Sequence, residues 1–245
     1  MFNLDISGFT YAYTVMTTVF IVVWAVVFIF SRHSRPAIFW TSLILCFAGP
    51  VAELWLIPDY WNPVYIFPIS INGWHFGAAD IVISFAAAGI AAGVFEQVAL
   101  RTGFTPLPHV TYKIILRIFC LVSLGFLIMV VLASVVNLIH IYALLFAVAI
   151  PAIIMLYNRV KTALLIVPLG VVLSFLFWLL YLSFIIPLFP GVIEALWNLD
   201  KTLGITLAGI HVEEMLWAFT TVLFAGPVYR ICCSDFFKRT SIYSQ

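Results

Sequence analysis

Two adjacent carboxylates, Glu213 and Glu214, stand in the otherwise apolar run 205-ITLAGIHVEEMLWAFTTVLFAGPVY. A charged side chain near the middle of a bilayer costs about 2.5–3.5 kcal/mol, so two in tandem mark a functional site rather than decoration. The chemistry open to them is proton transfer. A desolvated carboxyl keeps its proton near neutral pH and acts as a general acid, and a second carboxyl close by recovers a proton as base. Neighbouring residues on a helix project about 100° apart, so the two glutamates cannot both point into one pocket. One carboxyl faces the pocket and the other is braced against a neighbouring helix; the sequence leaves open which is which. His211 lies three residues before Glu214, on the same face of the expected helix, and Trp217 lies four after Glu213.

These groups have to be positioned by an unusually apolar chain. Of its 245 residues, 65% are hydrophobic and 9% charged, with a mean hydropathy of +1.19. Such a composition reads as an all-α integral membrane protein. The net charge of +1 and the lack of a basic patch exclude a nucleic-acid partner. Cys46, Cys120, Cys232 and Cys233 form neither a metal spacing nor a disulfide framework. The last two are expected as plain interfacial residues following the final span. The opening Met-Phe-Asn-Leu-Asp lacks a basic n-region, so the first apolar run is expected to be retained as an anchor.

Apolar stretches long enough for about 30 Å of hydrocarbon fall near 9–30, 37–57, 77–100, 113–134, 138–157, 162–188 and 205–231. Lipid offers unpaired backbone groups no partner, so each is expected to be helical, giving seven transmembrane helices. One set of connections carries Arg32, Arg35, Arg101, Lys113, Arg117, Arg159, Lys161, Arg230, Lys238 and Arg239, and the other only Lys201. The positive-inside rule then puts the N-terminus outside and the C-terminus in the cytoplasm, in a multi-pass protein of the cell membrane. Segment 58–75 is rich in aromatics, and Trp61, Tyr65 and Trp74 are expected in an interfacial belt.

On that topology Glu53, Asp80, Glu213 and Glu214 share one depth toward the outer leaflet, with His75, His140 and His211 near them. A shared polar pocket follows if the helices are neighbours. The alternative is that each acid serves only to hold helices together. Glu96 lies near the cytoplasmic end, where headgroups beside Arg101 are within its reach.

Spans three and seven also resemble each other. Setting 76-FGAADIVISFAAAGIAAGVFE against 210-IHVEEMLWAFTTVLFAGPVYR places Asp80 opposite Glu214, Phe85 opposite Phe219 and Phe95 opposite Tyr229, at a constant offset of 134. This predicts a single membrane domain of two parallel three-helix repeats, 1–103 and 137–245, joined by a linking helix in 104–136.

The run 204-GITLAGIHVEEMLWAF resembles the signature of the lycopene cyclase domain found in heterodimeric bacterial, archaeal and fungal-type carotenoid cyclases. That family carries a Pro-x-Glu-Glu/Asp motif at a helix start followed by aromatics, and segment 76–96 resembles the equivalent of the other half. Where the family has Pro, this chain has His211, and Ala79 stands in place of the first acid of the first half. The resemblance implies two three-helix halves and a redox-neutral ring closure of a polyene end group in carotenoid biosynthesis, an isomerase (intramolecular lyase) activity. Glu213, Glu214, Asp80 and Glu53 are the catalytic candidates. His211, Trp217, Phe219 and Phe85 are candidates for the substrate wall, where aromatic faces stabilise a cation by up to about 2 kcal/mol each. The implied partners are a lipophilic polyene or isoprenoid substrate and membrane lipid, with a homo-oligomer or other carotenoid-pathway enzymes as further associates.

No Gly-x-Gly-x-x-Gly and no Walker loop is present, so no cofactor is expected. The histidines and acids match no metal signature, so no metal is assigned. A retinal protein is excluded because no Lys lies between Lys201 and Lys238. The rivals are a proton-coupled transporter using the acids as a relay and a family member that has lost catalysis.

Overall fold

The computed structural model describes residues 6–105, 107 and 111–233, so Lys238 and Arg239 of the basic set lie outside the described residues. Long helices dominate. Helix α1 spans Ala12–Phe30, followed by α2 (Arg35–Leu45) and α3 (Ala48–Leu56). A hairpin of β1 (Pro68–Ile71) and β2 (Trp74–Gly77) leads into α4 (Ala78–Arg101). Next come α5 (Tyr112–Val130), α6 (His140–Leu156) and α7 (Val160–Leu180), then the short α8 (Ile186–Leu188) and α9 (Val192–Leu196). A second hairpin, β3 (Thr206–Leu207) and β4 (Ile210–His211), leads into α10 (Val212–Cys233). Among the described residues six helical stretches are long and apolar enough to cross a membrane, and α6 is a shorter apolar helix.

The two hairpin-led helices form the centre. Helices α4 and α10 pack against each other, with α1 and α2 against α4, and α6 and α7 against α10. Half of the most apolar window of α4 and 61% of that of α10 is buried, against 17% for α1 and for α5. The run 86-AAAGIAAG lets neighbouring backbones approach α4 closely, because small side chains are what permits tight helix contact in lipid. The outer helices instead turn Val22, Val26, Leu116, Phe119, Leu164 and Val171 outward. An apolar surface of that extent belongs against hydrocarbon.

Several elements differ from the expected spans. The second apolar run is broken at Cys46–Phe47, because Pro50 lacks the N–H that would continue the ladder and so sits in the first turn of a new helix. The final helix starts at Val212 rather than 205, since 206–211 is used by the hairpin. It continues through Gly226-Pro227 to Cys233, so Cys232 and Cys233 are helical rather than part of a connection after the span, and Cys232 is buried. Single π-helical turns follow α5 (Val131–Val135) and α7 (Tyr181–Ile185).

Both hairpins use a two-residue loop with positive φ at each position, Asn72 and Gly73 (51° and 83°) and Ala208 and Gly209 (51° and 84°). That twist matches the twist of the strands. Each hairpin delivers an acid to the third residue of the following helix, Asp80 in α4 and Glu214 in α10.

The α3–α4 contact depends on Gly49. A Cβ there would lie 2.1 Å from Ser84 Oγ and 2.8 Å from the Asp80 carbonyl oxygen. The hydroxyl can rotate away, but the carbonyl cannot. Gly49→Ala is therefore expected to destabilise the protein by about 1–3 kcal/mol, the usual cost of overpacking. Thermal unfolding in detergent checks this, and Ser84→Ala in the same chain is expected not to restore stability.

Candidate functional site

The hairpins and α3 bring three carboxylates to one cavity of about 90 Å³. Glu53 from α3, Asp80 from α4 and Glu214 from α10 all line it. Asp80 is anchored by its own helix start, where the Gly77 N–H donates to Oδ2 at 2.7 Å. This is the ordinary use of an acid to satisfy an orphan donor in the first turn. Its other oxygen accepts from the Tyr13 hydroxyl at 2.6 Å. Glu214 Oε1 accepts from the Tyr60 hydroxyl at 2.8 Å and from Trp197 Nε1 at 2.9 Å. Glu53 Oε2 accepts from Trp61 Nε1 at 2.9 Å. All three acids are at least nine-tenths buried. Burial, and then the nearby Glu214, push the Tyr60 phenol above its ordinary range, so it stays protonated and donates.

Two of these donors meet each other. Trp61 and Trp197 face one another across an antiparallel bridge, with ring centroids 5.5 Å apart. The Asn62 N–H donates to the Leu196 carbonyl at 2.7 Å, and the Asn198 N–H to the Tyr60 carbonyl at 2.8 Å. The exchange is reciprocal, and each tryptophan then donates to its own acid. Apart from Ser84 the remaining wall is apolar and aromatic, including Met16, Ile83, Phe177, Tyr181 and Trp217. Among the described residues no Lys, Arg or His lines the cavity.

Glu213 is fully buried but lies outside this cavity. Its Oε1 accepts from the Tyr142 hydroxyl of α6 at 2.7 Å and from the Leu203 N–H at 2.7 Å, while Oε2 has no hydrogen-bond partner among the described residues. The tandem pair therefore splits as helical projection requires: Glu214 faces the cavity and Glu213 braces α10 to α6 and to the loop before β3.

Other candidates fall elsewhere. His211 belongs to strand β4, paired with Thr206, so the three-residue helical spacing to Glu214 does not apply. It is buried, its Nδ1 has no hydrogen-bond partner among the described residues, and it does not line the cavity. Phe85 packs on Trp24 of α1 with centroids 4.9 Å apart, and Phe219 packs on Gly170 of α7. Both lie five residues after an acid, about 140° further round the helix, which carries them off the cavity face. Trp217, three residues after Glu214, stays on it. His75 pairs with Ser70 on the first hairpin, and His140 lies 2.9 Å from Asp59.

Two expectations are corrected by burial. Trp61, assigned to an interfacial belt, is 8% exposed and serves Glu53 inside the protein. Glu96 does not reach headgroups beside Arg101. It is fully buried and bonded to Arg230 of α10 through both Nε and Nη2. A buried carboxylate is costly unless paired, so Arg230, counted from sequence among loop residues, is drawn into the helix contact. Tyr13, Tyr60, Tyr142, Tyr181 and Trp197 were not anticipated as parts of the site. One signal was present for the tryptophans: the dipeptide Trp-Asn occurs at 61–62 and again at 197–198, at nearly the offset of the acids.

Comparison of the chain with protein-family models, with curated proteins and with solved structures finds no match.

Proposed function

We propose that this chain is a membrane-embedded carotenoid cyclase of the lycopene type, closing a ring on a polyene end group without redox chemistry. The observation that carries the reading is the convergence of Glu53, Asp80 and Glu214 on one aromatic-walled cavity with no balancing cation among the described residues. Uncompensated charge in such a place is costly, so the site stores protons in its carboxyls. One carboxyl adds its proton to the terminal C=C of the substrate. The neighbouring double bond attacks the resulting cation, forming the ring C–C bond, and a second carboxylate takes a proton from the adjacent carbon. One proton enters and one leaves, so the reaction is an isomerisation. Tyr181, Trp197 and Trp217 present π faces to the cation, and the small volume suits the end of a chain rather than its whole length.

The membrane arrangement belongs to the same proposal. Helix α6, with 17 residues, is about 25 Å long and crosses as a seventh span with its flanking residues and modest local thinning. The basic residues put the N-terminus outside and the ends of α4 and α10 near Arg101 and Arg230 in the cytoplasm. Helices α1 to α4 and α6 to α10 then form two parallel repeats joined by α5. The equivalent hairpins, the two Trp-Asn pairs and the acids at the third residue of each central helix support this. The resemblance to the lycopene cyclase domain points the same way, and the substrate is drawn from the lipid phase.

Expression in lycopene-accumulating cells tests the reading. Ring-bearing carotenoids are expected in the extracted pigments, and unchanged lycopene alongside well-folded protein would sink it.

A second reading has one observation in its favour. The α2–α3 break lies within two turns of Glu53, and broken helices beside buried acids are common in proton-coupled transporters. Proton flux in reconstituted vesicles, without ring formation, would select that reading.

A further inference from the structure

Tyr65 stands in the stretch between α3 and β1, and its ring lies across the start of α4. A Cβ on Gly77 would sit 2.1 Å from the Tyr65 Cδ1 and 2.6 Å from its Cε1, so the ring fills space that only glycine leaves open. The Gly77 N–H holds Asp80 Oδ2 at 2.7 Å, which places the ring beside that carboxylate. Tyr13, the donor to Asp80 Oδ1, is a ring neighbour of Tyr65, with centroids 5.9 Å apart.

A tyrosine in an interfacial belt buries its ring and keeps its hydroxyl in water. Tyr65 does the reverse. The residue is half-buried, but its hydroxyl is shut off from solvent and makes no hydrogen bond among the described residues. Leaving a buried hydroxyl unpaired costs free energy, so its retention calls for a physical account. Burial, and then Glu53 and Asp80, push the Tyr65 phenol above its ordinary range. It therefore keeps its proton and meets a carboxylate only as a donor. The Tyr13 and Tyr60 hydroxyls are already committed to Asp80 and Glu214. Tyr65 does not line the cavity, so any effect on bound substrate passes through Asp80.

We infer that Tyr65 is a positioning residue for the proton chemistry of the cavity: its hydroxyl closes onto Asp80 when that carboxyl is ionised and holds the charge there. The inference rests on the proposed proton exchange at the cavity acids. Asp80 is faced by Tyr13 of α1, by Tyr65 and by Glu53 of α3, and Glu214 of α10 lines the same cavity, so no cation among the described residues does this work. A donor held in reserve lowers the free energy of the ionised state alone, which is the condition for speeding a step in which charge appears. Tyr65 gives up no proton of its own, and each turnover returns its hydroxyl to the uncommitted position.

The test compares Tyr65→Phe with the parent chain. Removing a hydroxyl that has no partner is expected to leave the unfolding temperature in detergent unchanged or higher. Ring formation at saturating substrate is expected to fall by about 10- to 100-fold, the worth of one hydrogen bond to a charged group. KM is expected to stay near that of the parent, because the side chain does not touch bound substrate. The limb of the pH–rate profile that Asp80 governs should move to higher pH. Infrared spectra supply a readout that needs no turnover: the protonated-carboxyl band that Asp80→Asn removes should persist to higher pH in Tyr65→Phe than in the parent. A displaced band in a protein that forms no ring products overturns the cyclase reading and leaves the role of Tyr65 standing. An unmoved band overturns the inference whatever the activity, and a lower unfolding temperature alongside it makes the ring plain packing. Full activity of Tyr65→Phe beside an active parent overturns it as well.

Discussion

Glu214→Gln is expected to lower ring formation by about 10²–10⁴-fold, the usual contribution of a positioned general acid or base, with the fold retained. Glutamine keeps an oxygen that can accept from Tyr60 and Trp197, so the hydrogen bonds that hold the side chain survive. What is lost is the exchangeable proton and the charge it leaves behind. Glu213→Gln provides the contrast. Its partners, Tyr142 and the Leu203 N–H, also need only an acceptor oxygen, and the side chain does not reach the cavity. Ring formation in that variant is expected to stay within a few-fold of the parent. Pigment analysis with protein levels matched by immunoblot separates the two. Full activity in Glu214→Gln, or a large loss only in Glu213→Gln, would remove Glu214 from the proposed chemistry.

The second large effect concerns stability. Glu96→Gln leaves Arg230 with a neutral partner in a place where both side chains are nearly inaccessible, at 1% and 11% exposure. Breaking one side of a buried ion pair costs about 3–5 kcal/mol, because the remaining charge is uncompensated. A loss of that order in unfolding free energy is expected, measured by denaturant titration in mixed micelles. Replacing both partners, Glu96→Leu with Arg230→Met, is expected to recover most of it, since well-packed apolar residues replace a buried pair at little cost. A single variant as stable as the parent would show that the contact between α4 and α10 rests on packing alone. The two positions are separated by 134 residues, the same offset that relates Asp80 to Glu214. Equivalent residues of the two central helices thus meet at one end with opposite charge, while at the other end both carry acids that face a common cavity.

The composition already required a mostly helical membrane protein, because so few charges cannot cover a soluble fold and lipid leaves backbone groups no partner but their own helix. The length of the apolar runs located most of the long helices within a few residues. It failed where polar local structure was embedded in apolar sequence: hairpin 206–211 is as hydrophobic as a helix start, and only the positive φ values at Ala208 and Gly209 reveal it. The acids, too, were visible in the one-dimensional chain, since an ionisable residue in a bilayer span stands out by cost alone. Their shared depth was inferred from counting.

Contact was not. Whether Glu53, Asp80 and Glu214 meet depends on α3, α4 and α10 being neighbours, and apolar faces of similar character do not specify which helix packs on which. The division between Glu213 and Glu214 turned on the rotation of α10, set by the hairpin that precedes it and by Tyr142. The hydrogen-bond donors were the least legible feature. Tyr13, Tyr60, Trp61 and Trp197 come from three separate segments, and aromatics near a membrane interface ordinarily need no other explanation than anchoring. Their role appears only when distant backbone closes around the acids. Chemistry-bearing groups announce themselves locally through the energy of burying them, whereas the partners that make burial tolerable are assembled by long-range packing.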